Sequence, residues 1–487
     1  MTNASHSHIP TFSGAFRTNL DAMIDLFKRG DKGPAGKTIG FELERILIDR
    51  TGTPVPFEGK QGVGALLERI AKEAEAQQGT CERMMIDGHL LGVGYKHKTT
   101  LESIAVTVSL EPAAQLEVSV GPGHTVRALF EAVEAFDQVV ADALAALELD
   151  ARLVAIGYNP CVAQPEELEL IPKDRYHAMD AYLSRRGRYA RDMMRCTAST
   201  QVSLDYETEQ DAQRIYRMAT LLGPAFAFLF DNAPVFRGEP APSMARSRIW
   251  HHVDVDRCGI VPGALEGLTF EDYILWVSSI KPILFTNEQH VTTTTGERYT
   301  RDIMSERPLA PSELMHLLSM VFPNVRLKGF VELREMDSLP PRLAAACTSF
   351  TGALFYDKCL ERKLAKLLRA WLPRGFDDID ENDAVLARLQ LEEHGWEACP
   401  YGVPMPELAR ALTTIAKENV QHGTCCGEQV TQADGEAVAV PVVSSTPEAQ
   451  AFDLEGIEML ERLWRWRKLP RDMGHQELLD MLARKQA

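Results

Sequence analysis

Paired carboxylates on alternating strand positions constrain this sequence more than any other feature. In the segment TIGFELERI, Glu42 and Glu44 share one face of a predicted strand. Phe41 and Leu43 take the opposite face, as in a strand that is buried on one side only. One acidic face is usually a solvated surface, so this strand alone does not distinguish a surface from a functional site.

The same pattern recurs in three later segments, each of which places polar side chains on one strand face. Strands of this kind, packed beneath helices, form a polar concavity in which carboxylates repel one another unless cations lie between them. The polar positions are Glu111, Gln115, Glu117 and Ser119 in the second segment, Thr197, Ser199, Gln201, Ser203 and Asp205 in the third, and Glu332 and Arg334 in the fourth.

A gathered set of carboxylates is suited to a divalent cation. Oxygen ligands favour Mg²⁺ or Mn²⁺, and Mg²⁺ is commonly held by a few carboxylates together with substrate phosphates. In phosphoryl transfer such ions bridge nucleotide oxygens and reduce the charge that develops on the transferred group. The strand pattern therefore favours metal-dependent phosphoryl transfer.

Helical and strand-like periodicities alternate irregularly along the chain. Strands of mixed spacing, with helices and long loops between them, favour an α+β fold over a doubly wound parallel sheet. We predict helices at about residues 11–29, 62–77, 125–147, 210–230, 270–284, 311–321, 342–372, 382–394, 405–420, 453–466 and 475–485, and strands at about 37–49, 103–120, 152–158, 196–206, 247–255 and 325–335.

Composition excludes several classes of partner. The chain has 69 Asp+Glu against 52 Lys+Arg, a net charge of −17, and no basic stripe that would favour nucleic acid. No apolar run approaches the roughly 18 residues of a membrane span, and the N-terminus lacks an apolar signal core. The 9 cysteines are scattered without a C-x-x-C pair, which is typical of reduced thiols. We expect a cytoplasmic protein that binds neither nucleic acid nor membrane.

Six segments in order along the chain resemble one known family. They are GFELERILID, SLEPAAQLEVSVGP, PKDRYHAM, MMRCTASTQVSLDY, ARSRIWHHVDVDRCGIVP and VRLKGFVELREMDSLP. Together they are similar to the plant-type glutamate–cysteine ligases, the second family of these enzymes, which has bacterial members. The resemblance covers about residues 37–360.

The resemblance implies a glutamine-synthetase-like fold, in which a curved antiparallel sheet forms a funnel covered by helices. It also implies that ATP, with Mg²⁺ or Mn²⁺, drives ligation of the γ-carboxylate of glutamate to the amine of cysteine. On this basis we expect an N-terminal helical segment at 1–36, a catalytic domain at 37–375 and a C-terminal helical region at 376–487. Gly, Ser, Thr and acidic residues near 422–450 predict a loop-like linker within the last region. We expect a monomer or a homodimer.

Residue roles follow from matching this chain to the family's motifs. Arg334 is the candidate catalytic residue, because its guanidinium can stabilise charge on the transferred phosphoryl group. Arg246 or Arg175 would fix the α-carboxylate of glutamate, with Arg188 and Arg248 as weaker alternatives. The resemblance assigns substrate contacts to Thr197, Ser199, Trp250 and Gln115, and magnesium binding to Glu42, Glu44, Glu111, Glu117 and Glu332.

Two alternatives stay open. The segment REMDSLP departs from a Gly-rich stretch in the plant enzymes, so the chain could be a carboxylate–amine ligase that uses another amine. It could also be a non-catalytic sensor of amino acids or nucleotides on the same fold. The complete set of carboxylates and Arg334 argues against the sensor, because a sensor has no need of metal ligands.

Overall fold

A computed structural model of the protein describes residues 13–33, 37–289, 291–423 and 446–473. The strands are β1 Ile39–Asp49, β2 Glu82–Ile86, β3 His89–Lys98, β4 Ser103–Leu110, β5 Leu116–Gly123, β6 Ala151–Val154, β7 Ser199–Leu204, β8 Val235–Phe236, β9 Glu239–Pro240, β10 Cys258–Gly259, β11 Leu284–Thr286, β12 Thr292–Thr294, β13 Phe322–Pro323, β14 Val325–Leu327 and β15 Val331–Asp337.

Helices occupy most of the remaining described chain. They are α1 Gly14–Lys28, α2 Val63–Gln78, α3 Val126–Ala146, α4 Asp174–Leu183, α5 Ala190–Cys196, α6 Glu209–Leu229, α7 Ala245–Trp250, α8 Phe270–Ser278, α9 Thr300–Met304, α10 Pro311–Leu318, α11 Pro341–Phe355, α12 Leu360–Leu367, α13 Glu381–His394, α14 Met405–His422 and α15 Pro447–Arg465.

A large antiparallel sheet organises the fold. It runs in the order β14-β15-β7-β1-β5-β4-β3-β2, and β6 pairs with the end of β1. The apolar residues Phe41 and Leu43 of β1 are buried in the core, which fixes the opposite face of β1 as the one that carries its carboxylates. The expected α+β fold with a large antiparallel sheet is confirmed.

Helices cover the apolar face of the sheet. Helix α3 begins where the Thr125 hydroxyl accepts a hydrogen bond from the Ala128 amide at 3.2 Å, a typical N-cap. Both α3 and α11 pack against β1, and α14 and α15 pack on α11 in turn. The polar face of the central strands is thereby left for the site described below. None of the helices in the described ranges is long and apolar enough to cross a membrane.

Strands β2 and β3 are not predicted by the sequence pattern. Glycines in β3 weaken the strand signal, although Gly92 has a packing role. A Cβ atom at Gly92 would lie 2.9 Å from the Met84 sulfur on β2 and 3.2 Å from the Val108 carbonyl oxygen on β4, so a side chain there would displace Met84 and crowd β4. These strands form one edge of the sheet, away from the central carboxylates.

The predicted strand at 247–255 is wrong. Residues 245–250 form helix α7, followed by turns, and this segment pairs with no strand of the large sheet. Because α7 is helical, Arg246 and Trp250 lie four residues apart on one helix face, and both side chains reach the same cleft.

The predicted domain boundaries at 36 and 375 stay predictions. Most of the linker predicted at 422–450, and the helix predicted at 475–485, lie outside the described residues. The described C-terminal helices α14 and α15 pack directly on α11, and α15 also packs on α3.

Candidate active site

A deep cleft lies over the polar face of the central strands, with about 1030 Å³ of empty space, part of it open to solvent. Carboxylates from β1, β5 and the turn before β5 line one side. The cations Arg326, Lys328 and Arg334 of the β14–β15 hairpin line the other, and α4, the residue before it and α7 add further cationic side chains to the cleft. The lining residues are Glu42, Glu44, Glu111, Pro112, Gln115, Glu117, Lys173, Arg175, Tyr176, Met179, Met193, Met194, Thr197, Gln201, Arg246, Trp250, Phe322, Arg326, Lys328 and Arg334.

Strand register brings the carboxylates of the acidic side together. Glu44 on β1 is paired directly with Glu117 on β5, and Glu42 lies two residues away on the same face. Glu111 lies in the turn between β4 and β5, where the Tyr176 hydroxyl lies 3.5 Å from its Oε1 atom. The structure therefore places four of the five predicted metal ligands on one wall of the cleft.

Burial and mutual repulsion disfavour ionisation of these groups. Burial raises the pKa of Glu42 to about 8, and the nearby charges of Glu117 and Glu332 add to the rise. The pKa of Glu117 is raised to about 8 by burial and by Glu111, and that of Glu111 to about 7 by burial and by Glu44. The cations Lys328 and Arg326 near Glu42, and Lys173 near Glu111, lower these pKa values by less than burial and the neighbouring carboxylates raise them.

Glu44 is the most firmly held of the four. Its Oε2 atom accepts a hydrogen bond of 2.7 Å from the Ser199 amide, and its Oε1 atom accepts one of 3.0 Å from Gln201 Nε2. Arg334 Nη1 donates to the other end of the Gln201 amide. Gln201 therefore bridges the acidic side and the cationic side of the cleft.

Glu332 is in a different environment from the other predicted metal ligands. Its carboxylate contacts Arg326 at 2.6 Å, Lys328 at 3.2 Å and Arg334 at 2.8 Å. Although burial opposes it, these three cations hold the pKa of Glu332 well below its usual range. Three positive charges around one carboxylate leave an excess of positive charge, which is suited to an anionic ligand.

Two further arginines face the cleft without a carboxylate partner within 4.0 Å among the described residues. Arg175 donates to the hydroxyl and carbonyl oxygens of Ser319 at 3.0 and 2.9 Å. Arg246 donates to the Arg334 carbonyl at 3.1 Å, and its buried Nε has no partner in the described chain. Burial lowers the pKa of both arginines. Each is suited to bind a carboxylate of a substrate.

The predicted substrate residues have unequal access to the cleft. Gln115 accepts from the Ala113 amide at 2.8 Å and donates to the Met194 and Thr197 carbonyls, so its amide holds the turn before β5 in place. The Thr197 hydroxyl donates to the Met193 carbonyl at 2.6 Å. Both residues, and Trp250, line the cleft.

Ser199 does not line the cleft and acts on it through Glu44. Arg248 donates to the Ser243 and Glu392 carbonyls, and Arg188 lies over the Tyr189 ring at 4.5 Å. Neither of these two arginines is among the lining residues, so the structure favours Arg246 and Arg175 over them.

Several cleft residues were not assigned to the cleft from the sequence, although their positions could be read from it, and Gln201 was named only as a polar strand residue. Arg326 lies directly opposite Glu332 in the β14–β15 register, so a hairpin at 328–330 would have predicted their contact. Gln201 lies on the polar face of β7, between Ser199 and Ser203 on the same parity. The remaining missed residues that could contact a ligand are Lys173, Tyr176 and Lys328.

The acidic side fits a magnesium ion that also takes ligands from its substrate. No three Asp, Glu, His or Cys side chains in the described ranges converge closely enough to hold a metal ion by themselves. Mg²⁺ usually keeps several waters and takes only one or two carboxylates, with substrate phosphates as its other ligands. The paired Glu44 and Glu117, with Glu42 on the same face, supply carboxylates of that kind.

Comparison with known proteins assigns the family. The model of glutamate–cysteine ligase family 2 (GCS2) matches residues 38–403. The chain belongs to this family. It is 30% identical over 362 residues to the chloroplastic glutamate–cysteine ligase of Brassica juncea, covering 72% of this chain and 66% of that protein. With the corresponding protein of Arabidopsis thaliana it shares 30% identity over 344 residues, 69% of this chain and 62% of that protein. The chain thus spans about two thirds of the length of these relatives.

A solved structure supports the fold of this family 2 chain. The glutamate–cysteine ligase of Francisella tularensis, crystallised in complex with AMP, superposes with a TM-score of 0.54. The match covers 93% of this chain and 89% of that one at 10% sequence identity. At that identity the likeness establishes the shared fold.

Proposed function

We propose that this chain ligates the γ-carboxylate of glutamate to the amine of cysteine at the expense of ATP, giving γ-glutamylcysteine, ADP and phosphate. The observation that carries this proposal is the division of one cleft, in a family 2 chain, into a carboxylate wall and a cationic wall. A metal–nucleotide complex has the complementary arrangement, with a cation beside a polyphosphate.

The reaction proceeds in two steps. An oxygen of the glutamate γ-carboxylate attacks the γ-phosphorus of ATP, the bond to ADP breaks, and an acyl phosphate forms. The neutral amine of cysteine then attacks the acyl carbon, phosphate leaves, and the nitrogen loses a proton. The first step converts a poor acyl donor into a reactive one, which is why the enzyme needs ATP.

Residues of both walls take part in the first step. Arg334, with Arg326 and Lys328, binds and neutralises the phosphoryl group as it moves. Glu42, Glu44, Glu111 and Glu117 would hold Mg²⁺ or Mn²⁺, which, when bound, neutralises phosphate oxygens of ATP. The role of Glu332 as a metal ligand stays a prediction. Because Glu332 is already paired with Arg326, Lys328 and Arg334, we propose that it holds these three side chains in position.

Glutamate must bind so that only its γ-carboxylate reaches ATP. Arg246 and Arg175 have no carboxylate partner within 4.0 Å among the residues that the structure describes, and both line the cleft, so we propose that one or both bind the α-carboxylate. Trp250 on the same helix face as Arg246 would then enclose the side chain of glutamate. A cytoplasmic location, a monomeric or dimeric state and the absence of nucleic-acid partners stay predictions.

ADP release with glutamate, Mg²⁺ and a panel of amines tests the proposed reaction. We expect release that requires both glutamate and cysteine, and γ-glutamylcysteine detectable by mass spectrometry. Preference for another amine would keep the ligase chemistry and change the acceptor. No release with any amine, in a protein that is folded by circular dichroism, would contradict catalysis and favour a sensor.

Magnesium should stabilise the protein more at pH 8 than at pH 6. Burial and neighbouring carboxylates raise the pKa of Glu42 and of Glu117 from an ordinary 4.5 to about 8. A raised pKa contributes stability below the unfolded value of 4.5, and that contribution is lost as pH rises toward 8. A divalent cation compensates the ionised carboxylates, so its effect on Tm grows with pH.

Thermal unfolding with and without MgCl₂, at matched ionic strength, measures this effect. We expect the increase in Tm on adding MgCl₂ to be several degrees larger at pH 8 than at pH 6. The double variant Glu42→Gln/Glu117→Gln should lose most of that pH dependence. An equal or larger increase at pH 6 in the unmodified protein would show that these carboxylates do not bind the metal.

A further inference from the structure

Helix α7, which carries Arg246 and Trp250, begins at a strained residue. Met244, at its N-cap, has φ 55° and ψ 42°, a left-handed conformation that a residue other than glycine adopts at a cost. Met244 has no side-chain oxygen with which to cap the helix. Such a conformation persists only where surrounding contacts impose it.

A buried carboxylate imposes it. Asp231, two residues beyond the end of α6, accepts a hydrogen bond of 2.8 Å from the Met244 amide through Oδ2. Its Oδ1 atom accepts a bond of 3.1 Å from the Ala233 amide. The Asp231 side chain is fully buried, so its charge requires compensation.

That compensation comes from the C-terminal end of the described chain. Arg471 Nη1 contacts the same Asp231 oxygen at 2.8 Å and also donates to the Pro242 carbonyl at 3.0 Å. Arg471 Nη2 donates to the Ala241 carbonyl at 2.8 Å, and its backbone amide donates to the Asp231 carbonyl at 3.0 Å. Arg471 therefore bonds Asp231 at one end and Ala241 and Pro242 near the other end of the segment that leads into α7. We call these contacts, with the bond from the Met244 amide to Asp231, the clamp.

Arg471 lies outside the part of the chain that matches the family model, whereas its partners lie within it. The family match ends at residue 403, whereas Arg471 belongs to a short 3-10 helix at Pro470–Asp472. Arg246, in the first turn of α7, donates to backbone carbonyls of β15 and has no carboxylate partner within 4.0 Å in the described chain. These contacts require α7 to keep its position relative to β15, so a shift of the start of α7 would move the Arg246 guanidinium.

We propose that Arg471 is a positioning residue for glutamate binding, which acts through Asp231 and the start of α7 to hold Arg246 and Trp250 in the cleft. The proposal rests on the proposed function, because it assigns glutamate to Arg246. The C-terminal segment would then influence substrate binding indirectly, because it does not line the cleft.

The test compares steady-state kinetics of Arg471→Met, Arg471→Lys and the control Arg462→Met. Arg462 is an exposed arginine on α15, paired with Glu458 at 3.9 Å, and its loss should change nothing. We expect Arg471→Met to raise the KM for glutamate about tenfold or more while the KM for ATP stays within about twofold. Arg471→Lys keeps the positive charge but not the planar guanidinium group, so its KM for glutamate should lie between those of the unmodified protein and Arg471→Met. An unchanged glutamate KM, or an equal rise in KM for all substrates, would overturn the proposal.

A double-variant cycle tests the route through Asp231. If Arg471 acts through this carboxylate, then Asp231→Asn combined with Arg471→Met should raise the glutamate KM no further than Arg471→Met does alone. If the increases in glutamate KM of the two single variants multiplied in the double variant, the two residues would act independently, and this result would contradict the clamp.

Hydrogen exchange separates failure of the clamp from failure of the proposed function. In Arg471→Met, the amides of residues 244–250 should exchange faster than in Arg462→Met, whether or not the enzyme turns over. If the unmodified protein releases no ADP with glutamate, the proposed function fails while this measurement still decides on the clamp. Equal exchange in the two variants would refute it.

Discussion

Glu44→Gln should reduce turnover by about 10³-fold or more while leaving the protein folded. Glu44 is central to the acidic wall, since it is paired with Glu117 across β1 and β5 and bonded to Ser199 and Gln201. Glutamine keeps the shape of the side chain and one acceptor oxygen for the Ser199 amide, but its NH₂ group replaces the oxygen that accepts from Gln201 Nε2. It removes the negative charge that we assign to magnesium binding.

The kinetic changes should show that the charge removed from Glu44 binds magnesium. We expect kcat for ADP release to fall, and the concentration of MgCl₂ needed for half-maximal activity to rise, whereas Tm without magnesium should not fall. Burial raises the pKa of Glu44, so ionising this carboxyl in the metal-free protein is unfavourable, and a neutral side chain removes that cost and offsets the lost hydrogen bond from Gln201.

A matched substitution controls for the general effect of neutralising a strand carboxylate. Glu82 lies exposed on the edge strand β2 of the same sheet, outside the cleft. Glu82→Gln should keep the activity of the unmodified protein. Near-normal turnover of Glu44→Gln would remove Glu44 from the metal site and would leave the acidic wall without its proposed role.

Strand parity was sufficient to predict the acidic wall. Side chains alternate with a period of two, so Glu42 and Glu44 had to face away from the core once Phe41 and Leu43 were assigned to it, and Glu117 likewise once Leu116 and Val118 were. The resemblance to a family then supplied the chemistry of that wall, which parity alone does not provide.

The cationic wall was harder to predict because it depends on pairing between strands. Arg326 and Lys328 acquire their position from the hairpin register that sets them beside Glu332. The periodicity of 247–255 favoured a strand, but residues 245–250 form α7, and the Asp231 carboxylate accepts a hydrogen bond from the Met244 amide at its N-cap. A contact between residues 231 and 471 has no local signal in the sequence, so tertiary structure alone reveals it.

Arg334→Met is expected to lower kcat by about 10² to 10³-fold with little change in the KM for glutamate. Arg334 is held at the centre of the cleft by Glu332 at 2.8 Å and by Gln201. A guanidinium in this position can follow the phosphoryl group from ATP to the γ-carboxylate, so its contribution is largest in the transition state. Glutamate binding, which we assign to Arg246 and Arg175, should be preserved.

The fold should tolerate this substitution because Glu332 keeps two cationic partners. Arg326 and Lys328 remain at 2.6 and 3.2 Å from its carboxylate, so no uncompensated buried charge is created.

Arg334→Lys retains one positive charge but loses the planar guanidinium group, and its kcat should lie between those of the unmodified protein and Arg334→Met. Arg127→Met, on α3 outside the cleft, is the matched control and should be fully active. If Arg334→Met instead raised the KM for glutamate and left kcat intact, the arginine would be a binding group for the amino acid. The phosphoryl group would then have to be stabilised by Arg326 and Lys328 alone.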